Sequence, residues 1–323
     1  MNLLRDILLF LLAAGGWPGA AAAPPEPGIS AEDVSCTGAL QQGGLVLCKA
    51  APGAVVRAQG LEVAADRDGW AMFGLRRDAP ESLPVSIRLA SGDTVERELA
   101  ITARNDAFRV IRGLDCDKVD ARTSEQKAHA ARSWVKKQDA FAEFNDGAGA
   151  LKGFLRPAQG RPSSPFGPAR KYVGVSAETG EPCEKVSVHR GYDIAAPVGT
   201  PVIAPAAGTV ILADPDLYYE GGTIFLDHGR GLVSVFMHLS KVDVAEGDVV
   251  EAGEKIADVG NTGRTTGPHL HWAVKWRDPA SSDRSADFYI DPDLLLDLAP
   301  VHSPEAAPAT ADAGPAGAAI NPE

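Results

Sequence analysis

The sequence predicts a mainly β protein: a larger all-β domain preceded by a small β-sandwich and a linking helix. Three observations carry this. From Gly38 to about Arg112 the chain is a series of short β-rich runs broken by turn signals. One stretch, Thr123 to Phe144, switches to helical spacing. From Arg156 to about Leu298, runs such as "TPVIAPAAGTVILA", "GGTIFLDHGRGLVSVFMHLS" and "GDVVEAGEKIADVG" are again β-rich with glycine turns and no convincing long helix.

Length and composition fit that division. The 323 residues suffice for two modest domains, and 45% hydrophobic with 23% charged content is ordinary for a globular chain. The formal charge of -12, from 43 acidic and 31 basic residues, argues against a surface that tracks phosphates, and so against nucleic acid as the partner.

Taken in order, residues 1–23 read as a signal peptide. A short apolar core from Ile7 to Ala14 is followed by a Gly/Pro break and by small residues suited to cleavage near Ala20 to Ala23. Asp6 offsets Arg5, so an uncleaved anchor is the alternative, although the apolar run is too short to span a bilayer comfortably. Any membrane association is then transient or through that uncleaved signal. Export would place the protein in the periplasm or cell envelope, and four cysteines suit such an oxidising compartment. Cys36 and Cys48 are placed to staple an early hairpin, and Cys116 and Cys183 to tie the linker to the segment before His189. A free or metal-binding Cys183 is the other reading.

Residues 24–112 are expected to form the sandwich, of immunoglobulin-like type, with Asp68-Gly69 and Ser91-Gly92-Asp93 as turns between paired runs. Residues 113–155 are the linker. Its helix has Thr123 or Ser124 as cap, with Ala131, Trp134, Val135, Gln138 and Phe141 near helical spacing and His129 as a solvated residue. Residues 156–298 form the second domain. The Ala/Pro-rich tail, 299–323, lacks apolar periodicity and is expected to be disordered, with His302 inert.

Five of the seven histidines, His189, His228, His238, His269 and His271, fall in the second domain. In "TGPHLHWAVKW" His269 and His271 are one residue apart in a strand-like run, so both rings leave the same face. In "SVHRGYDIAAP" His189 and Asp193 are four apart in an extended, Pro-interrupted run and can converge on one ion. One histidine of the H-x-H pair completes three N/O ligands. A fourth position left open is the pattern of catalytic rather than structural zinc, and zinc-activated water makes amide hydrolysis the natural reaction. No H-E-x-x-H helix is present. His238 and the unbound member of the H-x-H pair are therefore the candidates to accept the water proton or to face the oxyanion. Spacing alone leaves open whether His269 or His271 is the ligand. His228, in "LDHGRG", reads as a turn residue outside the set.

The blocks "HRGYDIAAPVGTPVIAPAAGTVILA", "GGTIFLDHGRGLVSVFMHLS" and "GDVVEAGEKIADVGNTGRTTGPHLHW" resemble those of the lysostaphin-type, or LytM-type, zinc endopeptidases that cut peptidoglycan peptides. The resemblance covers roughly residues 160 to 297; the region upstream is only weakly similar to exported members. It implies an all-β LytM-type metallopeptidase domain binding one Zn2+ per chain. His189, Asp193 and His271 would be the metal ligands, and His238 and His269 the catalytic histidines. The implied substrates are peptidoglycan peptides, cross-bridges or stem peptides, bound in a groove walled by the loops "FGPARKYVGVSAETGEPCEKV" and "DPDLYYEGG". The rival reading is a non-catalytic LytM-type regulator that activates a partner cell-wall hydrolase. A weaker likeness to biotinyl or lipoyl carriers fails because Lys255 lies in a β run rather than at a hairpin tip.

Overall fold

The computed structural model describes residues 33–116, 120–177 and 180–301. The expected signal peptide, His302 and the rest of the tail lie outside the described residues. No helix among the described residues is long and apolar enough to cross a membrane.

The first seven strands are β1 (Ser35–Ala39), β2 (Leu45–Lys49), β3 (Val55–Ala58), β4 (Leu61–Ala64), β5 (Trp70–Gly74), β6 (Ser82–Arg88) and β7 (Thr94–Ala100). They form one sheet in the order β1-β2-β5 and another in the order β4-β3-β6-β7. Alternation along β6 and β7 turns Leu83, Val85, Ile87, Val95 and Leu99 inward. Cys36 and Cys48 sit directly opposite each other in the β1–β2 ladder and are disulfide-bonded. Ser91-Gly92-Asp93 turns the β6–β7 hairpin as expected. Asp68-Gly69 does not turn a hairpin: β4 pairs with β3 whereas β5 pairs with β2, so the chain changes sheets there. The turn residues were readable; which strand each neighbour pairs with depends on packing that a local pattern does not carry.

Next come β8 (Arg109–Asp115) and the helix α1 (Ser124–Ala142). Thr123 caps α1 in a reciprocal capping box with Gln126. Of the expected apolar face only Phe141 is docked. Trp134 and Val135 are exposed, while Ser133, Ala140 and Phe141 are buried. The reason lies in the surface below, the polar end of β14 (Gly208–Leu217) and the turn after it. Ser133 Oγ accepts from Tyr218 N at 3.0 Å, Lys136 Nζ meets Asp214 at 2.5 Å, and Lys137 pairs with Glu220. His129 is likewise engaged rather than simply solvated, with Nε2 at 2.8 Å from Asp216 O.

The remaining strands are β9 (Arg161–Ser164), β10 (Ala169–Val175), β11 (Pro182–Val188), β12 (Tyr192–Ala195), β13 (Pro201–Ile203), β15 (Gly221–Gly229), β16 (Leu232–Val242), β17 (Val249–Val250), β18 (Lys255–Val259), β19 (His269–Trp276) and β20 (Phe288–Ile290). The main sheet runs β17-β14-β15-β16-β19-β12-β9, with β13, β18 and β20 attached to it. The fold is thus mainly β, as the sequence predicts. Its central strands bury both faces, with Ile224, Phe225, Leu226, Val233, Val235, Phe236 and Trp272 almost wholly enclosed.

A separate sheet, β11-β10-β8, combines strands from before and after the helix. The stretch expected as a groove loop, "FGPARKYVGVSAETGEPCEKV", is mostly the antiparallel pair β10–β11, and β8 runs parallel to β10. The expected linker boundary at 113 falls inside β8. Cys116, just past β8, is disulfide-bonded to Cys183 on β11.

Candidate metal centre

The local fold brings His189, Asp193 and His271 together by two routes. Asp193 on β12 lies directly opposite His271 on β19 in the antiparallel ladder, so both side chains leave one face. His189 reaches them differently from the expected shared strand. It follows the end of β11, residues 189–191 break the chain, and β12 begins at Tyr192 in another sheet. Gly191 makes that bend possible, because a Cβ there would fall 2.5 Å from His271 Nε2 and 2.8 Å from Trp272 O.

His271 Nδ1 is 2.8 Å from Asp193 Oδ1, His189 Nε2 is 3.1 Å from the same oxygen, and the two nitrogens are 3.2 Å apart. His189 Nδ1 donates to Pro165 O at 2.6 Å, which leaves Nε2 as a bare lone pair. A proton on His271 Nδ1 can satisfy one edge of this triangle but not the other two. The arrangement therefore calls for a cation between the three atoms. Ligand bonds of about 2.0–2.2 Å at tetrahedral angles put donors about 3.3–3.6 Å apart, so the three atoms need to spread by only some tenths of an ångström to take a small divalent ion.

His189 and Asp193 are both held from behind. Asp193 Oδ2 accepts from Arg170 Nη2 at 3.1 Å, and the same nitrogen donates to Ser164 Oγ at 2.6 Å. Arg170 thus engages the outer oxygen and leaves Oδ1 facing the centre. Burial alone would raise the Asp193 pKa, but the adjoining His189 and His271 rings outweigh it and hold the carboxyl well below the usual range. Burial lowers the His189 pKa and keeps the ring neutral, the form that binds metal.

His238 and His269 stand beside this triangle, their ring centres 4.9 Å apart, with His238 6.0 Å from His271. His238 Nδ1 donates to Thr262 O at 2.9 Å. His269 Nδ1 lies 2.8 Å from Gly267 O and 3.1 Å from Thr265 Oγ1, whose hydroxyl donates to Gly267 O at 2.7 Å. Each ring therefore carries its proton on Nδ1 and keeps an unprotonated Nε2; that of His269 is 3.7 Å from Asp193 Oδ1. Burial, then the neighbouring His271 and His269, push the His238 pKa down to about 3, so it is a neutral acceptor at ordinary pH. His238 adopts φ 66, a left-handed conformation, at a bulge where β16 leaves β19 for β18. Such a bulge re-aims one side chain, here into the centre.

All five histidine and aspartate positions singled out in the sequence therefore converge. His228 is not a turn residue: it is fully buried on β15, Nδ1 donating to Ala207 O at 2.9 Å and Nε2 2.7 Å from Ser234 Oγ. Arg170 was missed, as were the carbonyls of Pro165, Thr262 and Gly267. Carbonyls have no residue signature; the Arg in the loop-forming run "SSPFGPAR" was the one visible clue.

Residues 187–283 match Peptidase family M23. ShyA, a peptidoglycan DD-endopeptidase of Vibrio cholerae, is 40% identical over 91 residues, which is 28% of this chain and 21% of ShyA. This chain thus spans about a fifth of that relative's length. The catalytic domain of lysostaphin from Staphylococcus simulans is 30% identical, with 42% of this chain and 91% of that domain covered at a TM-score of 0.33. A crystal structure of a Pseudomonas aeruginosa protein assigned to peptidase M23 covers 80% of this chain and 95% of its own, at 29% identity and a TM-score of 0.56. The stretch that builds most of this His-Asp-His centre, residues 187–283, is a Peptidase family M23 domain.

Proposed function

We propose that this protein is a zinc-dependent endopeptidase that hydrolyses amide bonds in peptidoglycan cross-links or stem peptides, acting in the periplasm or cell envelope. The observation that carries it is the triangle of His189 Nε2, Asp193 Oδ1 and His271 Nδ1, with two further histidines offering Nε2 beside it. Zinc, held by these three residues, would supply Lewis-acid polarisation and a water acidic enough to attack at neutral pH. The chain's own residues do the rest. Arg170 keeps Asp193 oriented, and Pro165 O keeps His189 in the metal-binding tautomer. His238 accepts the proton of the attacking water through Nε2, a role suited to its neutral state. His269 stands beside His238 on the side of the centre proposed for the reacting carbonyl oxygen, and the proton taken by His238 passes to the amine nitrogen as the C–N bond breaks. The peptidoglycan DD-endopeptidase ShyA supports the substrate class.

The non-catalytic alternative has no chemical need for a complete ligand set together with both additional histidines. Purified sacculi incubated with the protein should release soluble muropeptides whose masses show amide cleavage. A chelator should stop this, and stoichiometric zinc restore it. Zinc-loaded protein that leaves sacculi and defined cross-linked peptides intact would favour the regulator.

A further inference from the structure

The turn that carries Pro165 O is fastened from outside the site. Gly167 N donates to His189 O at 2.9 Å and His189 N to Pro168 O at 3.0 Å, so residues 165–168 and His189 form one hydrogen-bonded unit. The ring contact from His189 Nδ1 to Pro165 O, 2.6 Å, closes it. Two of the four turn residues are prolines without an N–H, so the turn offers carbonyls and few donors of its own.

Those carbonyls are met by residues that precede β8. Arg104 Nη2 donates to Phe166 O at 2.7 Å, with the guanidinium 5.1 Å from the buried Phe166 ring centre. Arg77 Nε donates to Gly167 O at 3.0 Å. Asp106 pairs with both arginines, 2.7 Å from Arg77 Nη2 and 3.2 Å from Arg104 Nε. It also crowds Gly167, where a Cβ would fall 2.4 Å from Asp106 Oδ1. Arg104 is fixed in turn: its side chain is 8% exposed, and Nη1 donates to Asp291 Oδ2 at 2.7 Å and to Gln42 O at 3.3 Å.

We propose that Arg104 is a positioning residue for the metal centre: through it the N-terminal β-unit locks the 165–168 turn and so aims His189 Nε2 at the cation. The inference rests on reading His189, Asp193 and His271 as ligands. It gives the N-terminal unit a part in assembling the site without touching substrate. A mere tether between the two units is a weaker account, because tethers exist elsewhere; Arg230 joins β15–β16 to Asp66 and to Trp70 O without reaching the turn. A ligand ring must be held within roughly 10–20° to bind well, and its outer hydrogen-bond partners typically contribute about 10–100-fold in metal affinity.

The test compares zinc affinity in the full chain, by competition with a chromophoric chelator, for wild type, Arg104→Lys, Arg77→Ala and Arg230→Ala. Lysine keeps the charge beside Asp106 and Asp291 but cannot span all of the guanidinium's partners. Arg104→Lys should weaken zinc by about 10–100-fold, and the cobalt-loaded protein should show a shifted visible band. Arg77→Ala, at a partly exposed position, should act in the same direction and decides the matter if Arg104→Lys does not fold. Arg230→Ala should lower the urea midpoint while leaving zinc affinity and the cobalt band at wild-type values. Zinc affinity within about threefold of wild type in both turn-facing variants, or an equal loss in Arg230→Ala, would overturn the proposal. A wild-type chain that takes up no zinc would instead remove the ligand assignment on which it stands.

Discussion

At the scale of single residues, His238 shows what the site costs. A left-handed backbone is unfavourable for a residue with a Cβ by about 1–2 kcal/mol, and asparagine bears it better than most. On the proposed function, His238→Asn should therefore keep the fold and bind zinc as the wild type does, with an unchanged or slightly raised thermal midpoint. Turnover on muropeptides should fall on the order of 10²–10⁴-fold. Loss of zinc from this variant, measured by elemental analysis, would move His238 into the ligand set and contradict the division of roles. Histidine and aspartate announced the centre in the sequence because a chain with seven histidines that clusters five of them leaves a sparse, readable signal. The left-handed turn at His238 was not readable, since the surrounding "VSVFMHLS" looks like an uninterrupted strand.

At the scale of elements, α1 shows why periodicity named only part of the docked face: Phe141 is buried, but Trp134 and Val135 are not. Its apolar residues were counted without knowledge of the polar strand end on which it lies, and complementary polarity won. Its C-terminal end is held by Arg277 on the segment after β19. The Arg277 guanidinium donates to Phe141 O at 3.0 Å and to Glu143 O, and pairs with Asp227 at 3.0 Å, with both side chains fully enclosed. Removing one partner of such a pair strands the other charge. Arg277→Ala should cost about 3–5 kcal/mol, read as a lower urea midpoint, while zinc content per folded molecule stays at the wild-type level. A change below about 1 kcal/mol would mean that water reaches Asp227 and compensates it. The start of the helix was legible to within one residue, since Thr123 and Ser124 both have cap chemistry, and Thr123 is the cap.

At the scale of the whole molecule, stability should depend on pH through buried histidine. Burial holds His228 at about 4, below the 6.5 of an unhindered imidazole. Between those values the unfolded chain takes up a proton that the native chain refuses, so this contribution is intact above about pH 7 and is lost as the pH falls through the folded value. From about pH 7.5 to about pH 5 the loss from His228 should be about 2 kcal/mol. Urea unfolding of His228→Gln beside wild type isolates it; equal pH slopes for the two proteins would refute it. The mainly β architecture was legible because runs and turn signals are local, whereas the β11-β10-β8 sheet was not, because it joins segments on either side of a helix. That sheet bears on how the protein is cut. A fragment beginning after α1 keeps His189, Asp193 and His271 yet loses β8, baring the backbone donors and acceptors along one edge of β10 and orphaning the Cys183 thiol. Bare edges template intermolecular pairing, so the excised peptidase region is expected to self-associate where the longer chain stays dispersed.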